Sequence, residues 1–449
     1  VELTAASGSD SKVTGWLDPV NLAHFTSSNC ALREQFVREL GHAFLTQGFV
    51  FLTGHGLAPE FISTYYKTAG RVLREIPEPR LRAFEFVKES IDRGYVSSPS
   101  GAPKPTVVCL QKAPQVLVAA GLKFIFDNHA GQATVMVSAG GEKASYTLPS
   151  AVYDPTHSST EVAAEHSGRS LRFRRLDFDG NYVVFTPDDK HGWITGVDHN
   201  VFPFETADFA LMSLELCRVH TAAGILMIRA LGRFLNDHND VLSRLVADAA
   251  GNNIAAHALR TYRYPAIAED ELESIPGDAH FVRVGEHRDI SLLTILPKAN
   301  LPGLQIQMRD QTWVDVRAPH DSVVVMAGEM LSHMTRGLRS ENGESREIYA
   351  PLHRVMGDRT NIHKDRYTAP FFFNADLRQP ILNLSDREPV TIRNVRLEPG
   401  LRLLHSHMRA STQFSQRSFE DFAADYDQLG RRLQKALAMR GEIQARYIH

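Results

Sequence analysis

Cysteine is scarce in this sequence. There are three, Cys30, Cys109 and Cys217, far apart and in no metal-type spacing. That excludes a disulfide-stapled scaffold and a cysteine-rich zinc module, and it fits a reduced, cytoplasmic chain. An excess of charge is also lacking. The formal net charge is −3 over 449 residues, so neither nucleic acid nor an anionic membrane is an expected partner. One basic run, GRSLRFRR at 168–175, reads as the solvated face of a hairpin. No repeat, low-complexity tract or uncharged apolar run of membrane length is present. The longest apolar stretch, 209–235, carries Glu215, Arg218, His220, Arg229 and Arg233, so it reads as a buried amphipathic helix. The N-terminal VELTAASGSDSKVTGW is polar, so no signal peptide is expected, and it opens on Val1 as if a segment had been trimmed or left out.

What is there is ordinary globular composition, 43% apolar and 22% charged. CALREQFVRELGHAFLTQG has helical periodicity, with Leu32, Phe36, Leu40 and Phe44 on one face and Gly48 as its stop. FVFLTGHGL is a short apolar strand, and Pro59 opens a second helix. Residues 97–203 are β-rich, with Asp179-Gly180 as a tight turn between two strands. Residues 205–250 are helical. From His257 to Asn374 the pattern changes to short strands broken by turn residues, as in a sandwich or jelly roll. The tail from Ser418 is again helical and charged.

One stretch, GEHRDISLLTIL, poses a chemical question. His287 and Asp289 are two positions apart. On a strand they share a face, whereas on a helix they would stand about 200° apart. Two other such triplets occur. His238-Asn239-Asp240 lies in a polar break, and His363-Lys364-Asp365 lies in a charged loop. Only His287-Arg288-Asp289 leads into a buried-looking strand. Two imidazoles and one carboxylate form the usual face for non-haem Fe(II). The second imidazole then comes from His320, His333, His353 or His363. His353, in APLHRV at the end of an apolar strand, is the choice, and His333 is the runner-up.

With these pieces in order, the chain resembles the isopenicillin N synthase-like branch of the Fe(II)/2-oxoglutarate oxygenases. The motifs are His287-x-Asp289, Gly303-Leu304-Gln305, the tryptophan of QTWVDVR, GEML at 328–331, HRV at 353–355 and Arg366-x-Thr368. GFVFLTGHGL, RGY at 93–95, NVFP at 200–203 and YRYP at 262–265 extend the likeness. The resemblance implies an α+β fold, a double-stranded β-helix (jelly-roll) core flanked by helices, with a long insertion between 97 and 200. It implies His287, Asp289 and His353 as iron ligands. It implies Arg366 and Thr368 as donors to a carboxylate, that of the cosubstrate 2-oxoglutarate in most relatives. Tyr264 reaches the cosubstrate or packs in the core. Phe372, which shares the face of Arg366 by alternation, lines the substrate pocket or packs in the core.

The implied reaction couples dioxygen and the conversion of 2-oxoglutarate to succinate and carbon dioxide to oxidation of an unactivated C–H bond. Hydroxylation, desaturation, ring closure and epoxidation all remain open. Halogenation is excluded, because Asp289 fills the place a halide would need. The substrate is expected to be a small specialised metabolite. The regions are then 1–96, a helix–strand–helix; 97–203, a β-rich insertion and candidate lid; 204–254, supporting helices; 255–376, the catalytic core; and 377–449, a C-terminal extension with a helix, all in one compact domain. Thr368 stands in place of the usual serine and Glu329 in place of the usual aspartate. The segment between Gly337 and His353 is long, which keeps His333 in play. Two rivals remain: an Fe(II) oxidase that holds its own substrate's carboxylate, and a jelly-roll binding module without catalysis.

Overall fold

The structure is a computed structural model. It describes residues 18–77, residues 206–403 apart from 250, 252 and 274–280, and also Thr4–Ala5, Ser406 and the strands and short turns between 106 and 203. The chain divides into two compact units. The first holds 1–77, 96–106 and 213–415, and the second holds 78–95, 107–212 and 416–449. The helix expected from Ser418 lies outside the described residues.

In the first unit, Asn29 starts helix α1 (Cys30–Thr46) by accepting a hydrogen bond from the amide of Ala31. Phe36, Val37, Leu40 and Phe44 form its buried face. Gly48, at φ +79°, turns the chain into strand β1 (Phe49–Thr53). Pro59 sits at the start of α2 (Pro59–Glu75), where its missing N–H costs nothing. The long helix α3 runs Ala207–Phe234. By length and hydropathy it could cross a membrane, yet 56% of its apolar window is buried in the protein. Gly224 lies against the ring of Phe373 and His220 packs edge-on to Phe371.

Nine antiparallel strands make up most of two facing sheets. They are β2 (His257–Arg260), β4 (Phe281–His287), β5 (Leu293–Pro297), β6 (Leu304–Gln307), β7 (Trp313–Asp315), β8 (Val323–Ala327), β9 (His353–Gly357), β11 (Phe371–Phe373) and the earlier β1. A separate pair is formed by β3 (Tyr262–Tyr264) and β10 (Arg366–Thr368), and one short helix, α4 (Glu329–Met334), follows β8. One sheet contains the order β1–β8–β5–β11–β2, with Val20–Asn21 parallel beside β1, and the other contains β7–β6–β9–β4, with Thr4–Ala5 beside β7. Phe49, Phe51, Leu296, Leu304, Ile306, Val324, Met326 and Val355 meet between them as a core. On the outer face of the first sheet, Phe371 and Phe373 pack on α3. Both faces are therefore covered. That is why β5 and β8 are buried at every position and read as unbroken apolar runs.

Two expected strands shift. IYAPLHRV gives a strand only from His353, because Pro351 has no N–H to donate to a ladder. YTAPFFF breaks into β10 and β11 around Ala369-Pro370 for the same reason.

The second unit contains two meanders. Gln115–Ala119, Leu122–His129, Gln132–Ala139 and Glu142–Thr147 pair in sequence order, as do Glu161–His166, Arg169–Arg175, Tyr182–Pro187, Trp193–Gly196 and Val201–Pro203. Within the basic run, Leu171 and Phe173 are buried and Arg172 is exposed, the alternation of a hairpin with one solvated face. The Asp179-Gly180 turn itself lies outside the described residues.

Candidate metal centre

His287, Asp289 and His353 converge, with ligand atoms within 4.8 Å of one another. The strand argument from sequence needs correction. His287 is the last residue of β4, not an early residue of the next strand, and Asp289 lies past the strand end. His353 opens β9 and pairs directly across from His287. One carboxylate oxygen lies 3.6 Å from Nε2 of His287 and the other lies 3.6 Å from Nε2 of His353. The imidazole centroids are 4.3 Å apart.

The second nitrogen of each ring is committed. Nδ1 of His287 donates to the carbonyl of Gly285 at 2.8 Å, and Nδ1 of His353 donates to that of Pro351 at 3.2 Å. Both bonds place the proton on Nδ1 and leave the Nε2 lone pair facing the carboxylate. Burial holds the His353 imidazole below its ordinary pKa, with Asp289 acting in the other direction.

Asp289 is buried, and its carboxylate accepts a hydrogen bond from the Thr294 hydroxyl at 2.6 Å. Its peptide is braced as well. Amides at the start of α4 donate back to the loop, Glu329 to the carbonyl of Asp289 at 2.7 Å and Gly328 to that of Leu292 at 3.0 Å. A Cβ at Gly328 would fall 1.9 Å from the Ser291 oxygen, so only glycine fits. Glu329 reaches out to Arg393, which also donates to the Arg288 carbonyl. Glu329 thereby ties the loop that carries Asp289 to a later segment.

The other histidine candidates are elsewhere. His333 lies on α4 beside Arg336, outside the cluster. His320 lines a cavity of about 660 Å³ along α2 that contains none of the three converging residues. Asp365, of the third triplet, is paired with Arg263.

Arg366 and Thr368 are both buried on β10, directly across from Tyr264 and Tyr262. The Arg366 guanidinium lies over the Tyr264 ring at 5.5 Å, and its Nε donates to the carbonyls of Leu301 and Pro302 at 3.2 Å. Its Nη1 and the Thr368 hydroxyl are buried with no hydrogen-bond partner among the described residues. The Tyr66 hydroxyl is the polar neighbour of Thr368; a buried guanidinium N–H without an acceptor is costly, and a carboxylate would satisfy it and accept from the Thr368 hydroxyl as well. The face of Phe372 follows from register: it lies opposite Thr294 on one side and Ala258 on the other. Since Thr294 holds Asp289, Phe372 is on the cluster's side of the sheet, although β10 and β11 are not one continuous strand.

Sequence reasoning missed the residues behind the cluster. Thr294 carried no signal beyond its place in an apolar run. Arg354, between the two sheet-facing positions His353 and Val355, binds Gln305 and Glu286 and stacks 4.0 Å from the Trp313 ring. Gly-Leu-Gln, Trp and His-Arg-Val are therefore parts of one brace on the outer side of the second sheet.

Comparison with known proteins agrees with this layout. Residues 255–375 match the model of the 2OG-Fe(II) oxygenase superfamily. Gibberellin 2-beta-dioxygenase 2 of Arabidopsis thaliana is 32% identical over 145 residues, which is 32% of this chain and 36% of the relative. Gibberellin 2-beta-dioxygenase 1 of Pisum sativum is 31% identical over 170 residues, 36% of this chain and 48% of the relative. The chain thus spans less than half the length of either relative. Among solved structures, a full-length Neurospora crassa protein in complex with alpha-KG superposes with a TM-score of 0.55 at 17% identity, over 90% of this chain and 98% of that one. The rice dioxygenase for auxin oxidation gives 0.50 at 13% identity, over 88% and 96%. At these identities the likeness is one of fold, and it is the jelly-roll core with flanking helices expected from the sequence.

Proposed function

We propose that this chain, whose residues 255–375 match the model of the 2OG-Fe(II) oxygenase superfamily, is an Fe(II)- and 2-oxoglutarate-dependent dioxygenase that oxidises an unactivated C–H bond of a small organic molecule. The observation that carries it is a cluster of two imidazoles, that of His287 part-exposed and that of His353 buried, and one buried carboxylate, on the same side as two buried donors without an acceptor among the described residues, Arg366 Nη1 and the Thr368 hydroxyl. His287, Asp289 and His353 would hold the iron. Arg366 and Thr368 would hold the distal carboxylate of 2-oxoglutarate, with Tyr264 beside them and Phe372 lining the substrate space.

The metal and its cosubstrate supply the activation of dioxygen, with 2-oxoglutarate leaving as succinate and carbon dioxide. The protein's own part is placement and exclusion of water. The Nδ1–H bonds keep both Nε2 lone pairs available. Thr294 fixes the carboxylate. The apolar seam between the sheets keeps bulk water from the interior. Relatives named for gibberellin and auxin favour a small-molecule substrate. A specialised metabolite and a cytoplasmic location are part of this reading. The scarcity of cysteine, with Cys30 and Cys217 free, supports that location.

The test is an anaerobic titration of the Fe(II)-loaded protein with 2-oxoglutarate, following the visible charge-transfer band of the chelated keto acid. The band is expected in wild type. Arg366→Ala should need at least tenfold more 2-oxoglutarate, about 1.4 kcal/mol. Stoichiometric iron without a band would replace the reading with an oxidase that holds its own substrate's carboxylate. No stoichiometric iron would refute the site.

A further inference from the structure

We propose that the cavity along α2 is a second ligand site, one that takes a small amphiphilic anion with its acidic head between Lys67 and Lys298. The cavity has a volume of about 660 Å³, within the range of roughly 300–1,000 Å³ common for small-molecule sites. Helix α2 forms one side. Ile62, Tyr66 and Gly70 recur at helical spacing along it, with Lys67 beside them. Residues 297–300, which leave β5, and residues 320–323, which lead into β8, form the other side. These walls are held in place. Pro297 and Val323 lie directly opposite each other on β5 and β8. Nδ1 of His55 accepts from the Leu57 amide at 3.3 Å, and its Nε2 donates to the Asp321 carbonyl at 3.2 Å. The cavity is also separate from the metal centre. None of the three converging residues lines it, and neither does Arg366 or Thr368. The buried Tyr66 ring lines it instead, with its hydroxyl 3.5 Å from the Pro297 carbonyl and Thr368 as a polar neighbour.

Charge decides what fits. Lys67, Arg71, Arg74 and Lys298 line the cavity against Glu75 and Asp321, so the excess is positive. Arg74 is taken by Glu75 at 3.1 Å, and Arg71 has a partner of its own. Lys67 and Lys298 have neither a hydrogen bond nor an ion pair among the described residues. A single exposed lysine is simply hydrated. Here two of them, one on α2 and one on the loop after β5, border the same cavity as the apolar side chains of Leu57, Ile62 and Val323. That combination complements an anion with an apolar body. An ammonium is a point charge with rotatable donors and no fixed fork, so carboxylate and phosphate heads both suit it.

The test uses the full chain loaded anaerobically with Fe(II) and 2-oxoglutarate, so that the cosubstrate's own donors are occupied. The probes are octanoate, octyl phosphate and 1-octanol, with binding measured by calorimetry. At least one of the two anions should bind roughly tenfold or more tightly than the alcohol. Preference for octanoate alone would identify a carboxylate head, and preference for octyl phosphate alone a phosphate head. Lys67→Gln and Lys298→Gln should each reduce the preference, and the double variant should abolish it. Lys67→Arg, which keeps the charge, should retain it. Both lysines are exposed, so the variants should fold as wild type does, and equal thermal unfolding checks this. Two results overturn the inference. In the first, neither anion is preferred over octanol in wild type. In the second, the preference survives in the double variant, which would place the anion elsewhere. The inference stands apart from the dioxygenase reading. A wild type without the charge-transfer band would refute that reading and leave the comparison of lysine variants intact.

Discussion

Thr294→Val separates a built metal site from a chance cluster of polar side chains. Valine keeps the shape of threonine and removes one hydroxyl. That hydroxyl makes the one hydrogen bond to the Asp289 carboxylate among the described residues, at 2.6 Å. The histidine nitrogens, at 3.6 Å, are beyond hydrogen-bond range. Asp289 is 8% exposed, so water is a poor substitute. A hydrogen bond to a charged acceptor contributes about 1.5–3 kcal/mol. A group that orients a metal ligand changes metal affinity by roughly 10- to 100-fold when lost. The assay is anaerobic titration with Fe(II), with Co(II) as a visible reporter. Thr294→Val should weaken binding within that range, and Thr294→Ser, which keeps the hydroxyl, should bind nearly as wild type. Thermal unfolding of the metal-free proteins gives the control. If Thr294→Val binds metal as tightly as wild type, Asp289 is held by its backbone alone and the account of the hydroxyl is wrong. If Thr294→Ser fails as badly as Thr294→Val, the lost methyl matters and the hydrogen bond does not.

Two further outcomes follow from the same geometry. Gly328→Ala should destabilise the protein by about 1–3 kcal/mol, because its Cβ must displace the Ser291 carbonyl; urea unfolding checks this, and metal affinity should fall with it since the ligand loop moves. His220 and His257 are fully buried, and burial pushes both imidazoles down to about 3. Below the ordinary histidine value near 6.5 the unfolded chain binds protons the folded one does not, so stability is retained at neutral pH and lost as pH falls toward 3. At pH 5 the loss is about 2 kcal/mol for each histidine. His220→Leu should remove its share, and equal pH dependence in variant and wild type, read from urea midpoints at pH 7 and 5, would refute the assignment.

The convergence of His287, Asp289 and His353 was readable in the chain because side chains able to ligate a metal are chemically distinctive. A histidine and an aspartate two apart before an apolar run, a second histidine downstream and an arginine two before a hydroxyl residue leave few alternatives. Their local geometry was less legible. Two-residue spacing suggested a shared strand face, but β4 ends at His287, and a loop braced by α4 places Asp289. The structure reaches the same convergence by another route, because hydrogen bonds to a helix start can replace strand periodicity. Strand limits near Pro351 and Pro370 were blurred by apolar neighbours that read as strand until the missing N–H is counted. Thr294 was invisible for a different reason. Inside LLTILP nothing separates a threonine that fills a β position from one that donates to a buried carboxylate, and only the register with Phe372 and Met326 resolves it.

The same register explains why the three converging residues depend on both sheets at once. His287 and His353 belong to the second sheet, and face each other across β4 and β9. Asp289 lies between that sheet and the first, tied to β5 through Thr294 and to the end of β8 through the Gly328 and Glu329 amides. A shift of one sheet relative to the other therefore moves the carboxylate away from both imidazoles. The seam of Phe49, Phe51, Leu296, Leu304, Ile306, Val324, Met326 and Val355 opposes that shift. Packing there resists small displacements because interiors are close-packed and each lost methylene leaves a void. Core residues distant from the chemistry thus control how well the ligand atoms converge. A seam substitution such as Val355→Ala should weaken metal binding beyond what its loss of stability alone would produce.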